Sequence, residues 1–272
     1  SNTAAGSVNV TGTGAAQTLA VTSGTMLFTA ISAVTGTPAI GINLGGFDGG
    51  ITVGGTNEYV IFVQNPTSAA VGGTVTAAIS SPLSSSADIT KSGRGTLILS
   101  AVNVAGGGTR KTTLNEGILE ISDLDNIGGN TGSLVFAGGT LRLGTSLTDD
   151  ISTRTISFLN GGGIIDTNSV NLTLANSVGS GVGGLTKAGL GTLTLGAAST
   201  YTGTTTVSAG TLAVTANNAT GGGGALAIGA GATLDIGTRS IAHNTVTTTG
   251  ASPVITGTGT ISSSGGFNFT HT

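Results

Sequence analysis

The sequence predicts an all-β chain wound into a parallel β-solenoid with about 22 residues per coil. Glycine makes up 50 of the 272 residues and lies every few positions, which leaves no stretch for a long uninterrupted helix. A short segment of the type Gly-Thr-Leu-x-Leu also returns along the chain at nearly constant spacing. Disorder is disfavoured because only 7% of the residues are charged and 38% are hydrophobic, the reverse of a disordered composition.

The recurring segment sets the length of one coil. Its copies lie at nearly equal steps along the chain, at positions 95–99, 117–121, 139–143 and, more loosely, 163–167. A second series follows at positions 191–195, 210–214 and 232–236. A period of about 22 residues is typical of solenoids, in which one unit cannot bury its apolar face alone and must stack on its neighbours.

Each copy has a side-chain pattern that predicts its register. The glycine permits a turn, and the next four residues alternate from side to side as an extended strand does. Stacked copies predict two internal columns, formed by Leu97, Leu119, Leu141 and Ile165 and by Leu99, Ile121 and Leu143. The outward position between the columns reads Ile98, Glu120, Arg142 and Asp166. Opposite charges on neighbouring coils would then lie about 4.8 Å apart, which favours this register.

Residues 1–86 are less regular than the rest and contain no Lys or Arg. Strand-like runs occupy residues 7–11, 18–22, 25–31, 59–63 and 74–79. We expect residues 1–86 to form irregular first coils or a cap of the same solenoid, with a separate sandwich domain as the alternative. Residues 87–272 are predicted to form the regular solenoid, with two superrepeats at 87–184 and 185–272.

A longer repeat relates two parts of the regular region. Residues 89–99 match residues 185–195 at a threonine, a lysine, two glycines, a second threonine and two leucines. The second copy continues through Tyr201-Thr202-Gly203 to Gly210-Thr211-Leu212. This string resembles the autotransporter-associated β-strand repeat, also called the passenger-associated transport repeat. The resemblance implies a right-handed parallel β-helix without catalytic residues, in a secreted or surface-displayed bacterial protein.

Catalytic motifs are scarce in this sequence. The only histidines are His243 and His271, so a His-Glu-x-x-His site is excluded, and no Gly-x-Ser-x-Gly occurs. Residues 179–184 match Gly-x-Gly-x-x-Gly, but residues 185–187 are expected to begin another β coil and not the helix that a dinucleotide site requires. Polysaccharide-degrading β-helix enzymes remain an alternative, which the absence of tryptophan and the 3% of aromatic residues disfavour.

The best candidate metal site is a calcium site formed by two acidic turns about one coil apart. Its oxygen ligands would come from Asp123, Asp125, Asp149 and Asp150. The alternative is that two solvated turns happen to carry acids. Nucleic acid is disfavoured as a partner because the chain has eight basic residues and a net charge of −3. No apolar run reaches the length that a membrane-spanning helix needs, so we expect none.

These patterns predict a non-catalytic structural solenoid outside a bacterial cell, either a surface rod or the subunit of a self-assembling fibre. Neither end reads as a charged cap, since no charged side chain precedes Asp48 and none except histidine follows Arg239. The expected partner is therefore a second copy, stacked end to end, or the remainder of a longer passenger chain. An adhesin that binds a surface ligand through loops at residues 36–55 and 122–132 is the alternative.

Overall fold

The computed structural model describes part of the N-terminal region and nearly all of the remainder: residues 6–11, 19–21, 25–29, 39–45, 51–53, 58–64, 74–83, 87–103 and 110–270. The chain divides into two compact units, Ser1–Gly132 and Ser133–Thr272. In both units short parallel strands stack coil upon coil, so the predicted all-β solenoid is confirmed.

The first unit consists of short strands and one 3-10 helix. In chain order these are β1 Gly6–Thr11, β2 Leu19–Val21, β3 Thr25–Thr29, β4 Ala39–Gly45, β5 Ile51–Val53, β6 Glu58–Gln64, β7 Thr74–Ile79, β8 Asp88–Ser92, β9 Thr96–Leu99, β10 Lys111–Leu114, β11 Ile118–Ile121 and the 3-10 helix η1 Leu124–Ile127. The neighbours in its three parallel sheets run β1-β4-β7-β9-β11, β3-β6-β8-β10 and β2-β5.

The first coils of this unit are longer than the later ones. Val8 pairs with Ile42, and Ile42 pairs with Ala77. The next partners along the same sheet, Ala77 with Leu97 and Leu97 with Leu119, lie much closer together in sequence. The strands of residues 1–86 therefore pair in parallel with one another and, through β6 and β7, with the strands that follow. The domain boundary at residues 86 and 87 stays a prediction.

The second unit repeats this arrangement with shorter coils. Its elements are β12 Ser133–Phe136, β13 Thr140–Leu143, the 3-10 helix η2 Ile151–Thr153, β14 Thr155–Phe158, β15 Gly163–Asp166, β16 Leu172–Leu174, β17 Leu185–Ala188, β18 Thr192–Leu195, β19 Thr205–Val207, β20 Thr211–Val214, β21 Leu226–Ile228, β22 Thr233–Asp235, β23 Ser240–His243, β24 Val246–Thr248, β25 Val254–Thr256, β26 Thr260–Ser263 and β27 Phe267–Phe269. Its four parallel sheets run β13-β15-β17-β19-β21-β24-β27, β16-β18-β20-β22-β25, β12-β14 and β23-β26.

The inward columns form the core, as the alternation predicts. All seven predicted column residues are buried: Leu97, Leu119, Leu141, Ile165, Leu99, Ile121 and Leu143. The outward register is also confirmed in the second unit, where Arg142 lies opposite Asp166 and its Nε approaches Asp166 Oδ2 at 3.0 Å. A contact between Glu120 and Arg142, which belong to different units, stays a prediction.

The second series of glycine-led segments occupies a different sheet from the first. In the second unit, β13 and β15 come from the first series, and the strands that continue their sheet are β17 and β19. The second series instead forms β18, β20 and β22. One local pattern thus serves two faces of a coil, because any half-buried parallel strand needs the same alternation.

One of the two predicted loops is wrong. Residues 36–55 contain β4 and β5, both paired with other strands. Ile40, Ile42 and Leu44 alternate with small or polar residues, which is the strand pattern that the surrounding glycines obscure. Residues 122–132 do form a connection, which holds η1. Within the described ranges, no helix has the length and apolar character needed to cross a membrane.

Candidate functional site

A buried lysine closes the same turn in both copies of the longer repeat. Lys91 lies on β8 with its side chain fully buried. Its Nζ donates hydrogen bonds to three backbone carbonyls, at 2.9 Å to Ser92, 2.6 Å to Gly93 and 3.0 Å to Glu116. The first two acceptors belong to the lysine's own turn, and the third belongs to the next coil. The side chain therefore joins two coils from inside.

Lys187, on β17, repeats this arrangement in the second copy of the longer repeat. Its Nζ donates to the carbonyls of Ala188 at 2.9 Å, Gly189 at 2.7 Å and Ala209 at 3.0 Å. The acceptors occupy the same relative positions as those of the first copy, namely the two residues after the lysine and the residue before the glycine of the next coil. We call each set of one lysine and three carbonyls a lysine cage.

Glycine is required at the centre of each cage. Gly93 and Gly189 both have φ +74°, in the left-handed region that side chains other than glycine rarely adopt. A Cβ on Gly93 would also lie 2.5 Å from the Val63 carbonyl oxygen, and one on Gly189 would collide with backbone atoms of Thr167 and Asn168. The spacing Lys-x-Gly therefore points the two carbonyls inward and lets the neighbouring coil approach closely.

Burial disfavours the charged form of each cage lysine, whereas the three carbonyl acceptors favour it. Desolvation by burial lowers the pKa of Lys91 and of Lys187 to about 8, against smaller raising effects from Glu116 and Asp166 respectively. Three acceptors match the three N–H groups of an ammonium, so the geometry fits the charged form. With both side chains fully buried, neither amine can reach an external substrate. What the cages can do is hold coils together.

Two of the four calcium candidates, Asp123 and Asp150, cap short 3-10 helices. Asp123 caps η1 by accepting the Asp125 N–H at 2.7 Å. Asp150 caps η2, with Oδ1 accepting the Ser152 N–H at 2.8 Å and Oδ2 accepting the Ala175 N–H at 3.0 Å. Among the described residues, no group of three Asp, Glu, His or Cys side chains could hold a metal ion. The calcium hypothesis, which also includes Asp149, stays a prediction.

The other two motifs considered from the sequence take structural positions. The glycine-rich turn at residues 179–184 leads into β17, a strand, so the helix that a dinucleotide site requires does not follow it. His243 lies inside the solenoid with 4% of its surface exposed. Sequence reasoning gave the lysines no role, although their recurrence within identical Thr-Lys-x-Gly strings was the signal that could have identified them.

Comparison with known families places both lysine cages within a known sequence repeat. The model of the passenger-associated-transport-repeat family matches residues 89–121 and 185–214, and each match contains one complete lysine cage. The chain carries two passenger-associated transport repeats. In both of these repeats the lysine ties the first strand to the coil that follows.

One similar protein is the adhesin BmaC autotransporter of Brucella suis biovar 1 (strain 1330). It is 34% identical over 146 residues, which is 53% of this chain and 4% of the adhesin. This chain therefore corresponds to a small part of that relative's length. No solved structure matched the chain. The repeat family and this relative fit an extracellular role of the passenger type, with a surface or secreted location.

Proposed function

We propose that this chain is a non-catalytic structural segment of an adhesin-type passenger, in which the solenoid serves as a rod or spacer outside the bacterial cell. The observation that carries the proposal is the pair of lysine cages. In each, a buried ammonium, which is costly to desolvate, donates to two carbonyls of its own turn and to one carbonyl of the next coil. The lysine cages and the buried columns both stabilise the stacking of coils, so these residues serve the solenoid structure.

The polar side chains of the site support the same proposal. Four side chains of types that often act in catalysis make structural hydrogen bonds here. Both cage lysines donate to backbone carbonyls, and Asp123 and Asp150 cap 3-10 helices. Glycoside hydrolysis needs two carboxyl groups at a defined separation facing one substrate. The Asp150 oxygens instead accept hydrogen bonds from within the chain.

A fibre subunit is the finer form of this proposal, and the last coil favours it. Four large apolar side chains are exposed there, Val254 at 41%, Ile255 at 38%, Phe267 at 50% and Phe269 at 52%. No Asp, Glu, Lys or Arg follows Arg239, so the edge strands lack the charges that usually block pairing with another chain. A coil of a second copy can cover this face, as can a further coil of a longer passenger.

Analytical ultracentrifugation with electron microscopy of the purified chain tests the fibre. A fibre subunit should form filaments or sediment above its 25.9 kDa mass in a concentration-dependent way. The double variant Ile255→Lys with Phe269→Lys should abolish this, whereas Thr173→Lys, on an exposed residue of β16 at the opposite edge of the sheet that ends with β25, should not. A monomer at all concentrations would reject the fibre and leave the spacer.

Ligand binding is the second candidate function. A groove lined by small polar side chains favours it, including Ser152, Thr153, Asn176, Ser177 and Thr200. The similar protein is named an adhesin, and a row of hydroxyl and amide groups is suited to polar polymers. Glycan and matrix-protein arrays separate the two candidates. The spacer predicts no saturable binding, whereas saturable binding that Asn176→Arg removes would establish the adhesive role and contradict a purely structural one.

A further inference from the structure

A hydrogen-bonded chain of polar side chains runs through the interior of the second unit. The Tyr201 hydroxyl lies 2.7 Å from Thr205 Oγ1, which donates to the Thr220 carbonyl at 2.7 Å. Because the Thr205 proton is used in that bond, Tyr201 must donate to Thr205. Thr220 Oγ1 in turn lies 2.8 Å from His243 Nε2. We call these four residues the polar chain, and all four are buried.

The geometry fixes the protonation state of His243 at the end of this chain. Its Nδ1 lies 3.2 Å from the Gly224 carbonyl, which can only accept, so Nδ1 carries the proton. In the neutral ring Nε2 must then accept, and the Thr220 hydroxyl donates to it. If Nε2 were also protonated, its N–H would point at the hydroxyl proton of Thr220, and two donors would face each other. Thr220 is fully buried, so its hydroxyl could not rotate to donate to solvent instead.

Among the described residues around His243, none carries an opposite charge that would stabilise an imidazolium. They include Thr220 and Gly224 of the preceding coil, Ser263, which pairs with His243 from β26, and the pocket residues Asn244, Ser262 and Ser264. None of these is ionisable, and burial keeps the nearby Tyr201 neutral by raising its pKa. Desolvation likewise lowers the pKa of His243, and no charged side chain is among the causes of that shift.

His243 is nonetheless within reach of protons and mechanically linked to the last coil. His243, with 4% of its surface exposed, lines a pocket together with Asn244 and Ser262–Ser264. Its own carbonyl accepts the Ser264 N–H at 3.2 Å, and the Asn244 carbonyl accepts the Gly265 N–H at 2.6 Å. The backbone that carries the ring is therefore hydrogen-bonded directly to the connection between β26 and β27.

We propose that His243 is an acid-sensitive latch: protonation of its ring breaks the polar chain and loosens the terminal coil formed by β25, β26 and β27. The sign follows from linkage. A histidine whose pKa is lower in the folded state stabilises folding fully above its unfolded value of about 6.5, and that stability is lost as the pH falls below it. The latch is independent of whether the terminal coil joins a second copy.

Two measurements on the full 272-residue chain test the latch. Since His243 and His271 are the only histidines, imidazole NMR shows two titrating rings, and the one missing from His243→Gln is His243. That ring should titrate below about 6.5. Hydrogen exchange, corrected for the intrinsic effect of pH, should show a severalfold loss of protection in β26 and β27 between about pH 7.5 and pH 5.5, and no comparable loss in β18 and β20.

The variants separate the latch from general acid destabilisation. His243→Gln should remove the pH-dependent loss of protection, and the matched control His271→Gln should retain it. If His243 titrates at or above about 6.5, or if β26 and β27 keep their protection in acid, the latch is wrong. It is also wrong if His271→Gln abolishes the response. If His243→Gln fails to fold, His271→Gln still identifies the ring of His243, and the wild-type titration and hydrogen exchange then decide the question.

Discussion

The middle coils and the last coil of the second unit carry the same inward pattern with opposite results. Leu212, Leu234 and Ile255 pair in register on three successive strands of one sheet. Leu212 and Leu234 are fully buried, whereas Ile255 is 38% exposed. The sheet that ends at β27 shows the same change, from buried Ile228 to Phe269 at 52%. Alternation thus decides which way a side chain points, and the coils above and below decide whether it is buried.

The largest effect should come from placing a charge in the middle of the stack. Leu234→Asp removes a buried leucine and leaves a carboxylate without a partner, and should lower the free energy of unfolding by several kcal/mol. Ile255→Asp places the same group where water reaches it and should cost well under half as much. Urea denaturation followed by circular dichroism measures both variants.

Equal losses at Leu234 and Ile255 would contradict the comparison. They would mean that the last coil is covered in solution, as it would be in a fibre. Repeating the measurement at several protein concentrations shows whether a second copy covers the last coil. Only in that case does the stability lost on Ile255→Asp grow as the chain is concentrated.

The next effect should come from removing a lysine cage. Lys187→Met keeps the apolar stem but leaves the Gly189 and Ala209 carbonyls without their ammonium donor. The third acceptor, the Ala188 carbonyl, still receives the Thr167 N–H at 2.9 Å. Unsatisfied buried groups cost about 1–3 kcal/mol each, and removing a desolvated charge returns part of this, so we expect a net loss of about 1–3 kcal/mol.

Lys111→Met is the matched control for the cage. Lys111 is exposed and pairs with Asp88 at 3.4 Å across the surface, so its removal should change stability by less than about 1 kcal/mol. A loss at Lys187 no larger than that at Lys111 would show that the cage adds nothing to the stack. Denaturation midpoints of the two variants provide the comparison.

The cages also predict a pH dependence above neutrality. Burial lowers the pKa of Lys187 from 10.5 to about 8, so between these values the unfolded chain binds more protons than the folded one. The stability of the protein should therefore rise as the pH increases from about 8 towards 10.5. In thermal melts between these pH values, the stability of Lys187→Met should rise less with pH than that of the wild type. The same rise in both proteins would contradict the lowered pKa.

The contrast between middle and terminal coils also explains what the sequence could predict. The buried columns through Leu97 and Leu141 followed from local alternation, because direction is a local property of a strand. The exposure of Phe267 and Phe269 could not follow from it, because it depends on which coils lie next to them. Strand β4 was missed for a different, local reason, because its alternating Ile40 and Ile42 lie among glycines that predict turns.

The candidate site was predicted less well because a charged residue can either face solvent or be buried against hydrogen-bond partners, and the sequence does not show which. Lysine is almost never fully buried unless it is paired, so the sequence alone gave no reason to place Lys91 and Lys187 in the interior. Only the convergence of three carbonyls from two coils, which are distant from each other in sequence, makes burial tolerable. The sequence left Asp123 and Asp150 as either calcium ligands or acids in solvated turns, and it did not predict that each caps a short 3-10 helix.

The smallest effect should come from the outward ion pair between Arg142 and Asp166, which remains in contact with water. Arg142 and Asp166 keep 30% and 18% of their side chains exposed, and an exposed pair contributes at most about 1 kcal/mol. Arg142→Ala should therefore cost less than about 1 kcal/mol. Asp166→Ala should cost more, because Asp166 Oδ1 also accepts the N–H of Asn168, a residue held at φ +45°. Equal losses in urea denaturation would assign the stability to the ion pair itself, whereas a larger loss for Asp166→Ala shows that the turn, and with it the spacing between coils, is what the carboxylate maintains.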